Sequence, residues 1–210
     1  MLAATIFLMS CVSGDPDLAT ARAQPPGAAS DTAMTEQIYL LRGIGGVFSL
    51  GMDRLAGKLR ERGMAVHVMQ HTSWRRAARQ IEEAYKADPN SRPVVLVGHS
   101  MGAQAVAPLA RNLEKSGIPV DFLAAVDPVT EMALPNNVIL AWHVRVSAPA
   151  AKGLVKSDTG FKGKIVDFNV GERENLKNTG INHWNIDQSE GVQNELIKQI
   201  VSEVHRRRRL

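Results

Sequence analysis

The stretch from residue 93 to residue 102 constrains the fold more than any other. Pro93 to Val97 (PVVLV) is a continuous apolar run rich in valine, and Gly98-His99-Ser100-Met101-Gly102 follows it without a gap. A run without polar alternation is the pattern of a strand buried on both faces. Residues 101–115 (MGAQAVAPLARNLEK) then have helical character, and Ser116-Gly117 ends them. The chain must therefore turn from a buried strand into a helix within a few residues. Gly98 and Gly102 remove the Cβ atoms that would collide in so sharp a reversal. Ser100 is left at the tip, in a strained backbone conformation at a helix N-terminus. There the helix dipole and the amide of Met101 favour negative charge on a neighbouring oxygen. The simpler alternative is a glycine-bounded serine that merely caps the helix.

Strand and helix signals alternate on both sides of this turn. Gln37 to Leu41 reads as a strand, Leu50 to Arg62 as a helix stopped by Gly63, and Ala65 to Gln70 as a strand. Ser73 is placed to cap a helix running to Ala87, ended by Asp88-Pro89. Val120 to Val126, Val138 to Val146 and Lys164 to Val170 read as three more strands, and residues 189–205 as a last helix. Such alternation predicts an α/β domain with a mostly parallel central sheet and helices on both faces. Chemistry in such sheets sits beyond the carboxyl ends of the strands.

Before residue 37 the pattern changes. Leu2 to Val12 (LAATIFLMSCV) is apolar but too short to span a bilayer. Its length suits the hydrophobic region of a secretory signal. Leu8-Met9-Ser10-Cys11 resembles a lipoprotein signal, in which Cys11 would carry a lipid and tether the chain to a membrane. No Lys or Arg precedes the run, so export and a cytoplasmic location both stay open here. Residues 13–36 are rich in Pro, Ala, Gly, Ser, Thr and Asp and read as a flexible linker. The expected division is residues 1–12 as a possible signal, 13–36 as linker, and 37–210 as one folded domain.

The net charge of +4 does not point to nucleic acid. Arg206 to Arg209 alone carry four positive charges, at the end of a predicted helix whose dipole they complement. No zinc, helix-turn-helix or interleaved aromatic-basic pattern accompanies them. Cys11 is the one cysteine, and no Cys/His set has metal-ligand spacing. Neither a metal nor another cofactor is expected.

A serine hydroxyl needs a base to become a nucleophile. Of the six histidines, His183 lies in the loop between the last strand and the last helix. That is the carboxyl edge of the sheet, where it can take a proton from Ser100 and return it to a leaving group. His67 and His71 come before Ser100, His143 lies within a strand, and His205 is near the basic tail. His99 is inside the turn, where its backbone position points it away from Ser100. For the acid that orients the histidine, Asp127 is preferred, because it ends a strand at the same edge and precedes Pro128. Asp158, in a later loop, is the alternative. Asp167 lies inside a strand, and Asp187 is read as too close in sequence to His183 to orient it.

Together these residues resemble the α/β-hydrolase superfamily: a glycine loop after the first core strand, GHSMG, Asp127 and His183, in the order Ser, Asp, His. The likeness covers residues 37–205 and implies a single-domain α/β-hydrolase fold and acyl transfer through an acyl-enzyme. Arg42-Gly43-Ile44-Gly45-Gly46 resembles the His-Gly-x-Gly-Gly loop of lipases and esterases, with Arg42 in place of the usual His. On that likeness the backbone amides of Ile44 and Met101 form the oxyanion hole, with Gly43, Gly45, Gly98 and Gly102 supporting it. Asp127 follows the strand after the elbow helix, one strand earlier than in most members.

No long helical insert separates Asp127 from His183, so minimal or no cap is expected. Phe48, Trp74, Trp142 and Trp184 are candidates to line a pocket, or equally to be core. Two functions follow from these residues. One is a serine hydrolase acting on a small-molecule acyl ester or thioester. The other is a non-catalytic, envelope-tethered binding domain that keeps the scaffold. The oligomeric state is not legible.

Overall fold

The computed structural model describes residues 35–44, 50–146 and 154–209. The apolar run around Cys11, residues 13–34 of the linker and the residues Gly45 and Phe48 lie outside them. The order is β1 (Gln37–Arg42), α1 (Leu50–Arg60), β2 (Val66–Gln70), α2 (Trp74–Ala87), β3 (Val94–His99), α3 (Met101–Lys115), β4 (Val120–Val126), β5 (Met132–Leu134), β6 (Val138–Arg145), β7 (Val155–Ser157), β8 (Lys164–Asn169) and α4 (Glu190–Arg208). Six strands make the central sheet in the order β2-β1-β3-β4-β6-β8, and every pairing is parallel.

Alternation along each strand sends side chains to opposite faces. Ile38, Leu40, Val95 and Val97 enter one core with Met52, Leu55 and Leu59 of α1 and Leu196, Ile200 and Val204 of α4. Tyr39, Leu41, Val94 and Leu96 enter the other with Ile81 of α2 and Val106, Leu109 and Leu113 of α3. Helices therefore cover both faces, which is why β1, β3 and β4 can be apolar almost throughout.

Three features depart from the pattern expected of the sequence. Strands β5 and β7 form a separate two-stranded parallel sheet beside α3. At three residues each they are too short to carry a recognisable period. The arginine tail does more than complement a dipole. Arg207 Nε donates to Asp121 Oδ1 at 2.6 Å, and Arg206 and Arg208 pair with Glu203 and Glu36. Ser73 precedes α2 as expected, but its side chain makes no capping bond.

Asp121 is fully buried at the start of β4, at the opposite end of the strand from Ser100's neighbour Val126. It accepts from Arg92 Nη2 at 2.7 Å, from the amide of Val94 at 2.9 Å and from Arg207. Asp121→Ala would strand two largely buried guanidinium groups. It is expected to lower stability by about 3–5 kcal/mol, measured as a fall in the urea midpoint at unchanged slope.

Strand order places the switch point of the sheet between β1 and β3. The chain moves outward from β1 to β2, then crosses to β3 on the other side. In open α/β sheets the crevice at the carboxyl ends of such a pair is where ligands bind.

Candidate active site

At this crevice one residue separates strand from helix. His99 ends β3, Met101 opens α3, and Ser100 turns between them at φ 57° and ψ −118°. A non-glycine residue held at positive φ stores on the order of 1–3 kcal/mol. The glycines explain how the turn closes. A Cβ on Gly98 would sit 2.2 Å from the carbonyl oxygen of Gly102, and one on Gly102 would sit 2.0 Å from that of Leu41. Helix α3 therefore packs directly on β3 and on the end of β1. The Ser100 amide donates to Val126 of β4 at 2.9 Å, which fixes the tip to the sheet.

Ser100 does not use its hydroxyl to cap α3. Its Oγ lies 3.0 Å from His183 Nε2, and His183 Nδ1 lies 2.6 Å from Asp127 Oδ2. A carboxylate only accepts, so Nδ1 carries the proton and Nε2 presents its lone pair to the serine. Asp127 is itself held by the sheet. Its amide donates to Val144 at 2.7 Å, and its Oδ1 accepts from the amide of Val146 at 3.3 Å. Its φ of 45° is a second positive value on a non-glycine residue in this crevice.

The loop bearing His183 is ordered by two asparagines. Asn185 Oδ1 accepts from the Asn182 amide at 2.7 Å, and Asn182 Oδ1 accepts from the Trp184 amide at 2.9 Å. From below, His99 Nε2 lies 2.9 Å from the carbonyl oxygen of His183. His99 thus points away from Ser100, as its place in the turn implies, and reaches the histidine loop instead.

The other candidates separate clearly. Asp158 pairs with Arg111 of α3 at 2.5 Å, and Asp167 pairs with Arg145 and His143. The Arg145 guanidinium holds the Asp167 carboxyl below its ordinary range. His67 stacks on Tyr39 at 4.6 Å, and burial pushes its pKa down. Arg42 donates from Nε and Nη2, along one edge of its guanidinium, to the two carboxylate oxygens of Asp53 in the first turn of α1, which raises its pKa. That pairing ties β1 to α1.

Ile44 is 60% exposed. A groove of about 380 Å³ opens next to Met101, lined by Trp74, Arg75, Gln104, Ala105 and Pro108 among others. Arg75 lies over the Trp74 ring at 4.3 Å. Trp184 is 63% exposed and meets His183 edge-on at 5.2 Å. Trp142 is partly buried against the core, packed between Phe122 and Phe168. Among the described residues no cluster of three or more His, Cys, Asp or Glu is placed to hold a metal ion, and no helix is long and apolar enough to cross a membrane.

Two residues of this region were not marked by the sequence pattern as acting on the site. His99 and Asp187 meet beneath His183, with Nδ1 3.5 Å from Oδ2. The short 3-10 turn Ile186–Gln188 folds Asp187 back under the loop, so closeness in sequence does not keep it from the crevice.

No family model and no curated protein matches the chain. Among solved structures, it is similar to an α/β hydrolase superfamily protein of Xanthomonas campestris, at 15% identity and a TM-score of 0.43, covering 79% of this chain and 98% of that one. It is similar to YbtT, a type II thioesterase of the yersiniabactin pathway, at 12% identity and a TM-score of 0.44, covering 84% and 95%. It is also similar to RedJ, a thioesterase of the prodiginine pathway in Streptomyces coelicolor, at 14% identity and a TM-score of 0.35, covering 90% and 97%. With six parallel strands wound outward in both directions from β1, a glycine-framed serine turn after β3 and helices on both faces, the chain has the α/β-hydrolase fold.

Proposed function

We propose that this protein is a serine hydrolase that cleaves an acyl ester or thioester of a small molecule. The observation that carries the reading is the unbroken chain of short contacts from Ser100 Oγ through His183 to Asp127. In the proposed reaction Ser100 Oγ attacks the carbonyl carbon of the substrate while its proton passes to His183 Nε2. The amides of Met101 and Ile44 hold the oxyanion that forms. The intermediate collapses, and the alcohol or thiol leaves with the proton from His183. Water then attacks the acyl-enzyme by the same route, releasing the acid and restoring Ser100. Asp127 keeps the proton on Nδ1 and stabilises the imidazolium. Trp74 and Trp184 are assigned to the walls that receive the substrate. The domain that does this is assigned to residues 37–210.

The test is a panel of p-nitrophenyl esters and acyl thioesters of graded chain length. Turnover of at least one is expected. A folded protein that turns over none of them would favour the alternative, a binding domain without catalysis.

A further inference from the structure

His99 and Asp187 are buried charges-in-waiting that the proposed chemistry does not use. His99 is 2% exposed and Asp187 is 0% exposed. Asp187 is clamped in place. A Cβ on Gly51, at the start of α1, would come within 2.2 Å of the Asp187 carbonyl oxygen and 2.6 Å of its carboxyl carbon. Gln193 Nε2 donates to the carbonyls of both Gly51 and Asp187, at 3.1 and 2.8 Å. Among the described residues neither carboxyl oxygen of Asp187 has a hydrogen bond of full geometry. A buried carboxyl in that condition is costly, so its retention beneath the site calls for a cause.

We propose that His99 and Asp187 share one proton and act as a positioning pair, holding the backbone carbonyl of His183 so that its imidazole meets Ser100. The proposal rests on the hydrolase reading. A carbonyl oxygen only accepts, so the 2.9 Å contact requires the proton of His99 on Nε2. Nδ1 then turns a lone pair toward Asp187. That contact is attractive only when a proton lies between Nδ1 and Oδ2. Burial favours the neutral arrangement on both sides, pushing the Asp187 carboxyl up to about 6 and the His99 ring down to about 4. The backbone amides of Gly51, Asp187 and Gln188 and the charge of Arg54 oppose the first shift; the bond to the His183 carbonyl and the charge of Asp127 oppose the second, and the charge of His183 adds to it.

Above the point where the pair loses its shared proton, one ring proton faces two acceptors. The carboxylate is the stronger, because hydrogen bonds to ionised acceptors are about twice as strong as neutral ones. The ring proton moves to Nδ1, and the carbonyl of His183 is released. The pair therefore couples the placement of His183 to pH. Asp187→Asn provides an amide donor to Nδ1 at every pH and removes that coupling. His99→Gln keeps an amide nitrogen where Nε2 stood.

The test measures kcat and KM from pH 5 to 9 for the full chain and three variants, with a fluorophosphonate labelling rate for each. His99→Phe is expected to lower kcat by about 10- to 100-fold with KM little changed, the scale of a small misplacement of a catalytic group. His99→Gln is expected to recover most of that loss. Asp187→Asn is expected to keep the rate of the wild type at pH 5.5 and to lose the downward step in kcat that the wild type shows as pH rises through about 6. Equal kcat in wild type and His99→Phe, failure of His99→Gln to recover any rate, or an unaltered step in Asp187→Asn overturns the proposal. If His99→Phe does not fold, the other two decide. A wild type that fails to label at all would sink the hydrolase reading instead.

Discussion

Replacing Ser100 with alanine is expected to lower turnover by roughly 10⁴- to 10⁶-fold, the loss seen when a nucleophile acting within such a unit is removed. The fold should survive. Ser100 makes no capping bond to α3, so the variant loses one side-chain hydrogen bond, to His183. A neutral bond of that kind contributes about 1 kcal/mol. Alanine carries the same Cβ as serine, so the positive φ at this position costs it no more. Residual activity above the uncatalysed rate would come from the oxyanion donors and from substrate binding. The check is kcat on the best ester of the panel together with the thermal midpoint. Retained turnover in a folded Ser100→Ala would remove the proposed mechanism.

The second large effect is at Asp127. Asp127→Asn is expected to reduce kcat by about 10⁴-fold, through the wrong tautomer of the histidine. The geometry says which way the new amide sits. Oδ1 of residue 127 accepts from the Val146 amide, so the amide oxygen keeps that place and the nitrogen takes the place of Oδ2. That nitrogen is a donor facing Nδ1. The proton of His183 is driven to Nε2, where it blocks transfer from Ser100. The backbone tolerates the change, because asparagine is among the residues enriched at positive φ. Asp158→Asn serves as the control. Asp158 is engaged with Arg111, and its loss should leave the rate unaffected. A collapse of the rate in Asp158→Asn with a normal Asp127→Asn would reassign the acid.

Much of this arrangement is legible in the chain because it depends on local pattern. The strands β1, β3 and β4 are apolar on both faces, and helices of ordinary length separate them. GHSMG is recognisable because the close approach of α3 to β3 and β1 demands glycine at two fixed offsets. Asp127 and His183 can be named as candidates from topology, since both follow strands at the carboxyl edge. What pattern does not carry is packing between distant segments. Strands β5 and β7 have no period to read, and the arginine tail finds Asp121 only once α4 crosses the sheet. His99 and Asp187 are the sharpest case. One sits in a strand and the other in a polar loop, and only the burial of both in the folded domain turns them into a pair. Pattern also leaves open whether Trp142 is pocket or core, because its neighbours Phe122 and Phe168 come from adjacent strands.

The central claim is that Ser100 is an activated nucleophile, and covalent labelling tests it most directly. The purified protein is treated with a fluorophosphonate probe, digested, and the modified peptide identified by mass spectrometry. The account predicts one adduct, on Ser100, that is absent from Ser100→Ala and slow to form in Asp127→Asn. A folded wild-type protein that takes no label, or carries it on another residue, would contradict the account.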